Sequence, residues 1–395
     1  MDGLYADRSR EWLGPMQRHS SSETVDLKDF SFLDNPIDTV KSLQLIARLE
    51  SVVIDARLNF HDETCLDVGP YLALQAMRKD MMPIFSGGSI TPQTQKVLDI
   101  VGLRKPLRMA FPLPNDRTFV WPFPFRTRRP AGSSSSASRM LDPQSYERVA
   151  DDLIEAINGW LGSLVNRELT PVGCRYVQTV VGEALDNAER HSDISSQDGD
   201  WAIAGFMTRI GKGDLSKYRC HLSFMSLGAT VAESIKTAGA RTQRKMAEYV
   251  SRHRNLFDRK FSEENLQTVF ALQDGVSRFS DALRAHRGGT GLMDVLEFFS
   301  ALGGLSDAGV APKLAILSGS TCISVTRPYM VGVRRGAALS VGRLAPREQW
   351  FNSENDPERP PDSSHVFSLP APIRGTIITM AWTLNPKHLS APDNA

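Results

Sequence analysis

Residues 183–191 read Glu183-Ala184-Leu185-Asp186-Asn187-Ala188-Glu189-Arg190-His191, inside the longer stretch VGCRYVQTVVGEALDNAERHS (172–192). The spacing predicts a helix. Val177, Val181, Ala184, Leu185 and Ala188 recur at three- and four-residue steps and mark its buried stripe. Glu183, Asn187 and His191 follow at intervals of four, so they share one face at successive turns. Polar residues at that spacing are most often a solvated face. A carboxylate, an amide and an imidazole in one line are also a candidate site, and the flanking sequence has to decide.

Upstream, residues 143–166 predict an amphipathic helix with Val149, Leu153, Ile157, Trp160, Leu161 and Leu164 on one broad face, read as core rather than a dimer seam. Before it, FPLPNDRTFVWPFPFRTRRPAGSSSSASR passes from Pro–Phe alternation into Gly–Ser low complexity, which predicts a linker over 111–142. The basic run of Arg104, Lys105, Arg108, Arg117, Arg126, Arg128 and Arg129 reads as solvated linker charge. Further upstream, SVVIDAR (51–57) and MMPIFSG (81–87) predict strands. DVGPYLALQAMRKD (67–80) and TPQTQKVLDIVG (91–102) predict helices, the second with Thr91 as N-cap before Pro92. This makes a small α/β unit over 41–110. Residues 1–40 lack periodicity and predict a flexible arm.

Downstream, GDWAIAGFMTRIG (199–211) and KYRCHLSFMSLG (217–228) predict a hairpin, followed by Ala229-Thr230 and VAESI. Residues 231–285 are charged and helical in pattern. They end in His286-Arg287-Gly288-Gly289-Thr290-Gly291-Leu292, which opens the helix MDVLEFFSAL; a Gly-rich turn at a helix N-terminus is a ready anion site. KLAILSGS (313–320) and TCISVTR (321–327) predict strands, and Arg374-Gly375-Thr376 opens the strand IITMAWTL. The polar, Pro-rich stretch 343–366 reads as an insertion, and 387–395 as a tail.

The string Glu183 to His191 resembles the asparagine box of the gyrase–histidine-kinase–MutL (GHKL) superfamily of ATP-binding domains, and the resemblance spans about 143–386. It implies that Asn187 ligates a magnesium ion bridging the phosphates of ATP, that Glu183 is the catalytic carboxylate in a hydrolytic member, and that His191 approaches the phosphates or only finishes the helix. Ser226-Leu-Gly228-Ala-Thr230 is similar to the superfamily's first glycine box. Ser226 stands where an Asp would hold the adenine amino group, and Thr230 replaces the second Gly. A neutral acceptor in place of a charged one costs roughly 1–2 kcal/mol, about ten-fold in affinity. Asp274-Gly275 offers another register for that box, disfavoured because it follows a helical stretch. The run Arg287, Gly288, Gly289, Thr290, Gly291, Leu292 resembles the second glycine box, with 231–285 as the lid. Gly375 and Thr376 resemble the Gly-Thr pair that helps to hold the base.

The strand–helix order over about 25–110 resembles the STAS family of anti-sigma-factor antagonists, whose members often carry a phosphorylatable hydroxyl after the VVIDA-like strand. Here that place reads Asp62-Glu63-Thr64-Cys65, so Thr64 is the nearest candidate phosphoacceptor. Together the two resemblances imply an α/β chain of two domains. A small STAS-like α/β domain would precede a two-layer α+β sandwich of the Bergerat type, a mixed sheet with helices on one face.

With 395 residues, 41% hydrophobic and 23% charged, the chain has ordinary globular composition. A net charge of +1 gives no bulk attraction to nucleic acid or membrane. The four dispersed cysteines form no zinc-ligand spacing, and neither a signal peptide nor a membrane span is evident, so a cytoplasmic protein is expected. No phosphoacceptor-histidine helix of a sensor kinase precedes the asparagine box, and no transducer of a topoisomerase follows. The functions that remain are a slow ATPase, a serine/threonine kinase of the anti-sigma type, or a catalytically inactive interaction module or subunit of a multi-protein system, for example in defence. Each works through protein partners, and a homodimer is one of them.

Overall fold

The computed structural model describes residues 4, 19–51, 54–78, 85–112, 120–128, 145–194, 199–210, 217–254, 260–277, 291–302, 311–327, 329–334 and 345–392. The first unit runs β1 (His19–Leu27), α1 (Pro36–Ser51), β2 (Ile54–Phe60), α2 (Gly69–Arg78), β3 (Phe85–Ile90) and α3 (Pro92–Val101). Its strands form a parallel sheet in the order β1-β2-β3. Residues 19–40, expected in the arm, hold β1 and the start of α1. Val25 and Leu27 alternate inward and Phe30 and Phe32 are buried, a short pattern with no turn signal before it.

Next come β4 (Val120–Arg128), α4 (Tyr146–Val165), β5 (Glu168–Leu169), α5 (Pro171–Ser192), β6 (Trp201–Ile210) and β7 (Lys217–Ser226). The chain continues through α6 (Val231–Ile235), α7 (Ala240–His253), α8 (Glu263–Ala271), α9 (Gly291–Leu302), β8 (Lys313–Val325), β9 (Val333–Arg334), β10 (Arg347–Glu348), β11 (Val366–Thr383) and β12 (Leu389–Ser390). The main sheet has the order β4-β6-β7-β11-β8, every pair antiparallel. β4 lies inside the expected linker. Its Arg126 pairs with Asp152 and its Arg128 with Glu189 at 3.4 Å, so these two arginines are structural rather than linker charge. Arg117 and Arg129 lie outside the described residues.

The five-stranded sheet is buried on both faces. Trp201, Ile203 and Met207 of β6, Leu222 and Phe224 of β7, and Ile378 and Met380 of β11 face α4, α5 and α9. The alternate residues Ala202, Ala204, Phe206, Met225, Ile377 and Ala381 face α1, α2 and α3. Helices and sheet on the α5 side are compatible with the two layers expected, but the sheet is antiparallel rather than mixed and α1, α2 and α3 cover its second face, because the first unit buries its apolar surface there. Burial on both faces explains why WAIAGFM reads as an unbroken apolar run rather than an alternating one.

Asp67, in the loop before α2, fastens the two units together. Its carboxylate accepts from Ser31 Oγ (2.6 Å), Phe32 N (2.9 Å), Leu33 N (3.3 Å) and Gly69 N (2.8 Å), and from Thr379 Oγ1 of β11 at 3.4 Å. Burial outweighs these bonds and pushes the carboxyl up to about 6. The folded state therefore holds this proton more tightly than the unfolded chain, and the associated stability is lost as pH rises through about 6. Asp67→Ala orphans the buried N–H groups of Phe32 and Gly69, while Leu33 N keeps Ser31 Oγ, and is expected to cost about 3 kcal/mol. Urea denaturation of the variant checks this, and a loss below about 1 kcal/mol contradicts the anchoring role.

Candidate functional site

A cavity of about 150 Å³ opens between α5, α6 and the ends of β7 and β11. It brings together Glu183, Asn187, His191, Ser226, Gly291, Leu292 and Thr376, residues up to 193 positions apart in the chain (376 − 183). Thr170 caps α5 by accepting from Gly173 N at 3.1 Å, with Pro171 in the first turn, which starts the helix on schedule. Arg287, Gly288, Gly289 and Thr290 lie outside the described residues.

Gly291, the first residue of α9, makes the decisive contact. A Cβ there would stand 2.5 Å from Glu183 Oε2 and 2.7 Å from Asn187 Nδ2. Glycine lets the first residue of α9 rest on this carboxylate–amide pair without displacing either side-chain end. Gly228 borders an adjoining recess rather than the cavity. Its absent Cβ makes room for the Ser192 carbonyl, 2.0 Å away, and Ala229 N donates to that same carbonyl at 2.8 Å. The glycine thus lets the end of α5 close on the strand end, a different task from accommodating a base. Gly375, at φ 84°, marks a register shift in β11 and packs on the Ser226 carbonyl.

The floor carries a row of hydroxyls. Ser226, Thr376 and Ser318 are neighbours across β7, β11 and β8. Ser318 Oγ lies 2.9 Å from Thr376 Oγ1 and accepts from Val231 N at 2.8 Å. Thr230 caps α6 in a reciprocal box with Glu233, which explains a threonine where the resemblance expects glycine. His191 Nδ1 meets Ser234 Oγ of α6 at 3.1 Å, so the imidazole ties α5 to α6 across the cavity. Trp201 donates to Glu189 at 2.8 Å and packs its ring against the cavity wall.

Electrostatics single out Glu183. Burial, and then the carboxylates of Asp294 and Asp186, push its carboxyl up to about 7, while Arg190 and Arg347 pull the other way. A carboxylate poised near neutrality can take up and release a proton at working pH. Asp294 belongs to a buried clamp. Arg347 binds Asp274 through Nε at 2.8 Å, Asp294 through Nη2 at 2.6 Å and Glu297 through Nη1 at 2.5 Å. Burial works against its charge, but three carboxylates outweigh that and hold the guanidinium ionised. The clamp fixes α9 relative to the segment after α8. It also occupies Asp274, which leaves the alternative Asp274-Gly275 register no part in the cavity.

Sequence reasoning missed Arg347 because the stretch 343–366 reads as a polar insertion. In the structure that stretch contributes a buried plug, with Trp350 against Tyr249 at 4.9 Å and Phe351 fully buried. Asp294 carried a usable signal, since it falls in the first turn after the Gly-rich run. Thr64 is exposed in the loop before α2, and α2 packs on β7 and β11 from the face opposite α5. The sheet therefore stands between Thr64 and Glu183.

Compared with family models, curated proteins and solved structures, the chain matches none. No helix among the described residues is long and apolar enough to cross a membrane. The functional reading rests on the cavity's own chemistry and on the motifs that line it.

Two outcomes follow from the charges. Glu183 binds its proton more tightly folded than unfolded, so stability from that proton is full below about 4.5 and lost as pH rises through about 7. Glu183→Gln should therefore stabilise at pH 8 by about 1–2 kcal/mol, discounted for partial exposure, and the gain should vanish near pH 4. Thermal melts at both pH values measure it. Arg347→Ala leaves three carboxylates facing one another and is expected to cost about 3–5 kcal/mol in chemical denaturation.

Proposed function

We infer that the cavity binds a nucleoside triphosphate with magnesium, and that the chain is a nucleotide-dependent regulatory protein of the GHKL type. The observation that carries this reading is the seat of Gly291 on Glu183 and Asn187. It joins a helix N-terminus, favourable to an anion, to an amide oxygen and a carboxylate. Such a donor set suits magnesium, which takes one or two protein oxygens and completes its shell with water and phosphate. Among the described residues no cluster of three His, Cys, Asp or Glu side chains forms an all-protein metal cage.

Asn187 would hold the ion, which when bound would neutralise the phosphate oxygens. Glu183, with its carboxyl near 7, would accept a proton from water at Oε2. Ser226 and Thr376 would meet the base, and their hydroxyls offer both donor and acceptor character without charge. That wall favours tolerance between purine bases over strict adenine selection.

Retained Glu183 supports slow hydrolysis. A kinase activity toward Thr64 would have to act between molecules, because the sheet separates the two sites. The second reading, an interaction module without catalysis, draws on Ser226 in place of a carboxylate.

Phosphate release from ATP and magnesium tests the proposal. The rate should rise with pH through about 7, and Glu183→Gln should lower it by roughly 100-fold or more while binding persists. Release that is unaffected by the substitution sinks the catalytic role. Phosphorylation of Thr64, followed by mass spectrometry, should accelerate with protein concentration if it occurs; a rate independent of concentration contradicts transfer between molecules.

A further inference from the structure

The first unit holds a cavity of its own, of about 430 Å³, between the C-terminal half of α2, the β2–β3 pair and the segment 107–111. That size lies within the range of roughly 300–1,000 Å³ usual for small-molecule sites. Phe60, Leu74, Leu107 and Phe111 are buried around it, and Phe85 and Met109 complete an apolar lining. Among the described residues, the charged side chains that line it are those of Arg78 and Arg108, with no carboxylate beside them.

The two arginines are not used as their neighbour is. Arg104 is fully employed: it donates to the Phe111 carbonyl at 2.7 Å, lies 5.1 Å over the Phe111 ring and pairs with Asp99 at 3.7 Å. These bonds hold the 107–111 wall in place. Arg78 instead projects from the last turn of α2 over the Phe85 ring, 5.8 Å from its centroid, and its buried Nε has no hydrogen-bond partner among the described residues. Arg108, at φ 54° in the turn after α3, is exposed at the cavity, and its charge acts on Arg78. Burial, and then Arg108, lower the Arg78 pKa. A buried guanidinium N–H without an acceptor is costly, and an oxyanion would satisfy it.

We propose that this cavity is a ligand site for a small amphiphile, an apolar body ending in a carboxylate or phosphate, with the anion between Arg78 and Arg108 and the body among Phe60, Leu74 and Phe111. The site is independent of the nucleotide reading, since it lies behind the main sheet in the first unit.

Calorimetric titration of the full chain tests it with octanoate and octyl phosphate below their micelle concentrations. Acetate and inorganic phosphate supply the anion without the body, and octanol the body without the anion. One of the two amphiphiles should bind at least ten-fold more tightly than every control, and the tighter of them names the head group. Arg78→Gln should weaken that binding ten-fold or more. Arg108→Gln, an exposed change that leaves the fold alone, should weaken it in the same direction. Equal binding of octanol, equal binding of acetate or phosphate, no binding of either amphiphile, or unchanged binding in both variants overturns the proposal.

Discussion

The seat of α9 on α5 is the constraint on which the site depends. At Gly291 the missing side chain leaves the ends of Glu183 and Asn187 undisplaced beneath α9. Buried apolar residues hold α9 on α5, and Arg347 adds a polar clamp. One buried cation gathers carboxylates from α9 and from the segment after α8, and leaving Arg347 or the buried Asp274 unmatched is expensive, less so the more exposed Glu297. The same clamp sets the field at Glu183. Asp294 raises its proton affinity while Arg347 tempers the rise. Packing, clamp and proton affinity are thus one arrangement seen at three distances.

Behind the site, the main sheet is a shared wall. Its α5 face supplies the cavity floor, and its other face is the platform for the first unit. Alternation of side chains along β6, β7 and β11 divides one set of strands between two cores. Asp67 then links the loop before α2 to Thr379 on β11, which ties the first unit to the sheet that floors the cavity. This also separates Thr64 from Glu183 in space, although both belong to one chain.

Much of the site was legible because its elements obey simple periodicities. The helix bearing Glu183, Asn187 and His191 begins within one residue of its expected start and ends on the expected residue, since a Thr cap, a Pro and a four-residue apolar stripe all agree. Ser226 and Thr376 come together because strand ends are predictable from apolar runs. What escaped was set by tertiary contact. β1 hides in a polar stretch whose inward residues, Val25 and Leu27, are too few to make a pattern. β4 hides in a Pro–Phe run that reads as linker but sits at a sheet edge, where proline is tolerated. Arg347 belongs to a loop whose composition says solvent and whose partners, Asp274, Asp294 and Glu297, say core. Gly228 fits the expected glycine box, and in the structure it packs on the Ser192 carbonyl at the end of α5.

The central claim is that Asn187 and Glu183, roofed by Gly291, form one phosphate–magnesium site. Isothermal titration of ATP into the full chain, with magnesium and then with chelator, tests it most directly beside Asn187→Ala and Gly291→Ala. The account predicts magnesium-dependent binding to the parent chain that is lost in the first variant, where the metal ligand is gone, and weakened in the second, where a methyl group displaces the ends of Glu183 and Asn187. Binding that is indifferent to magnesium and to both substitutions would contradict it.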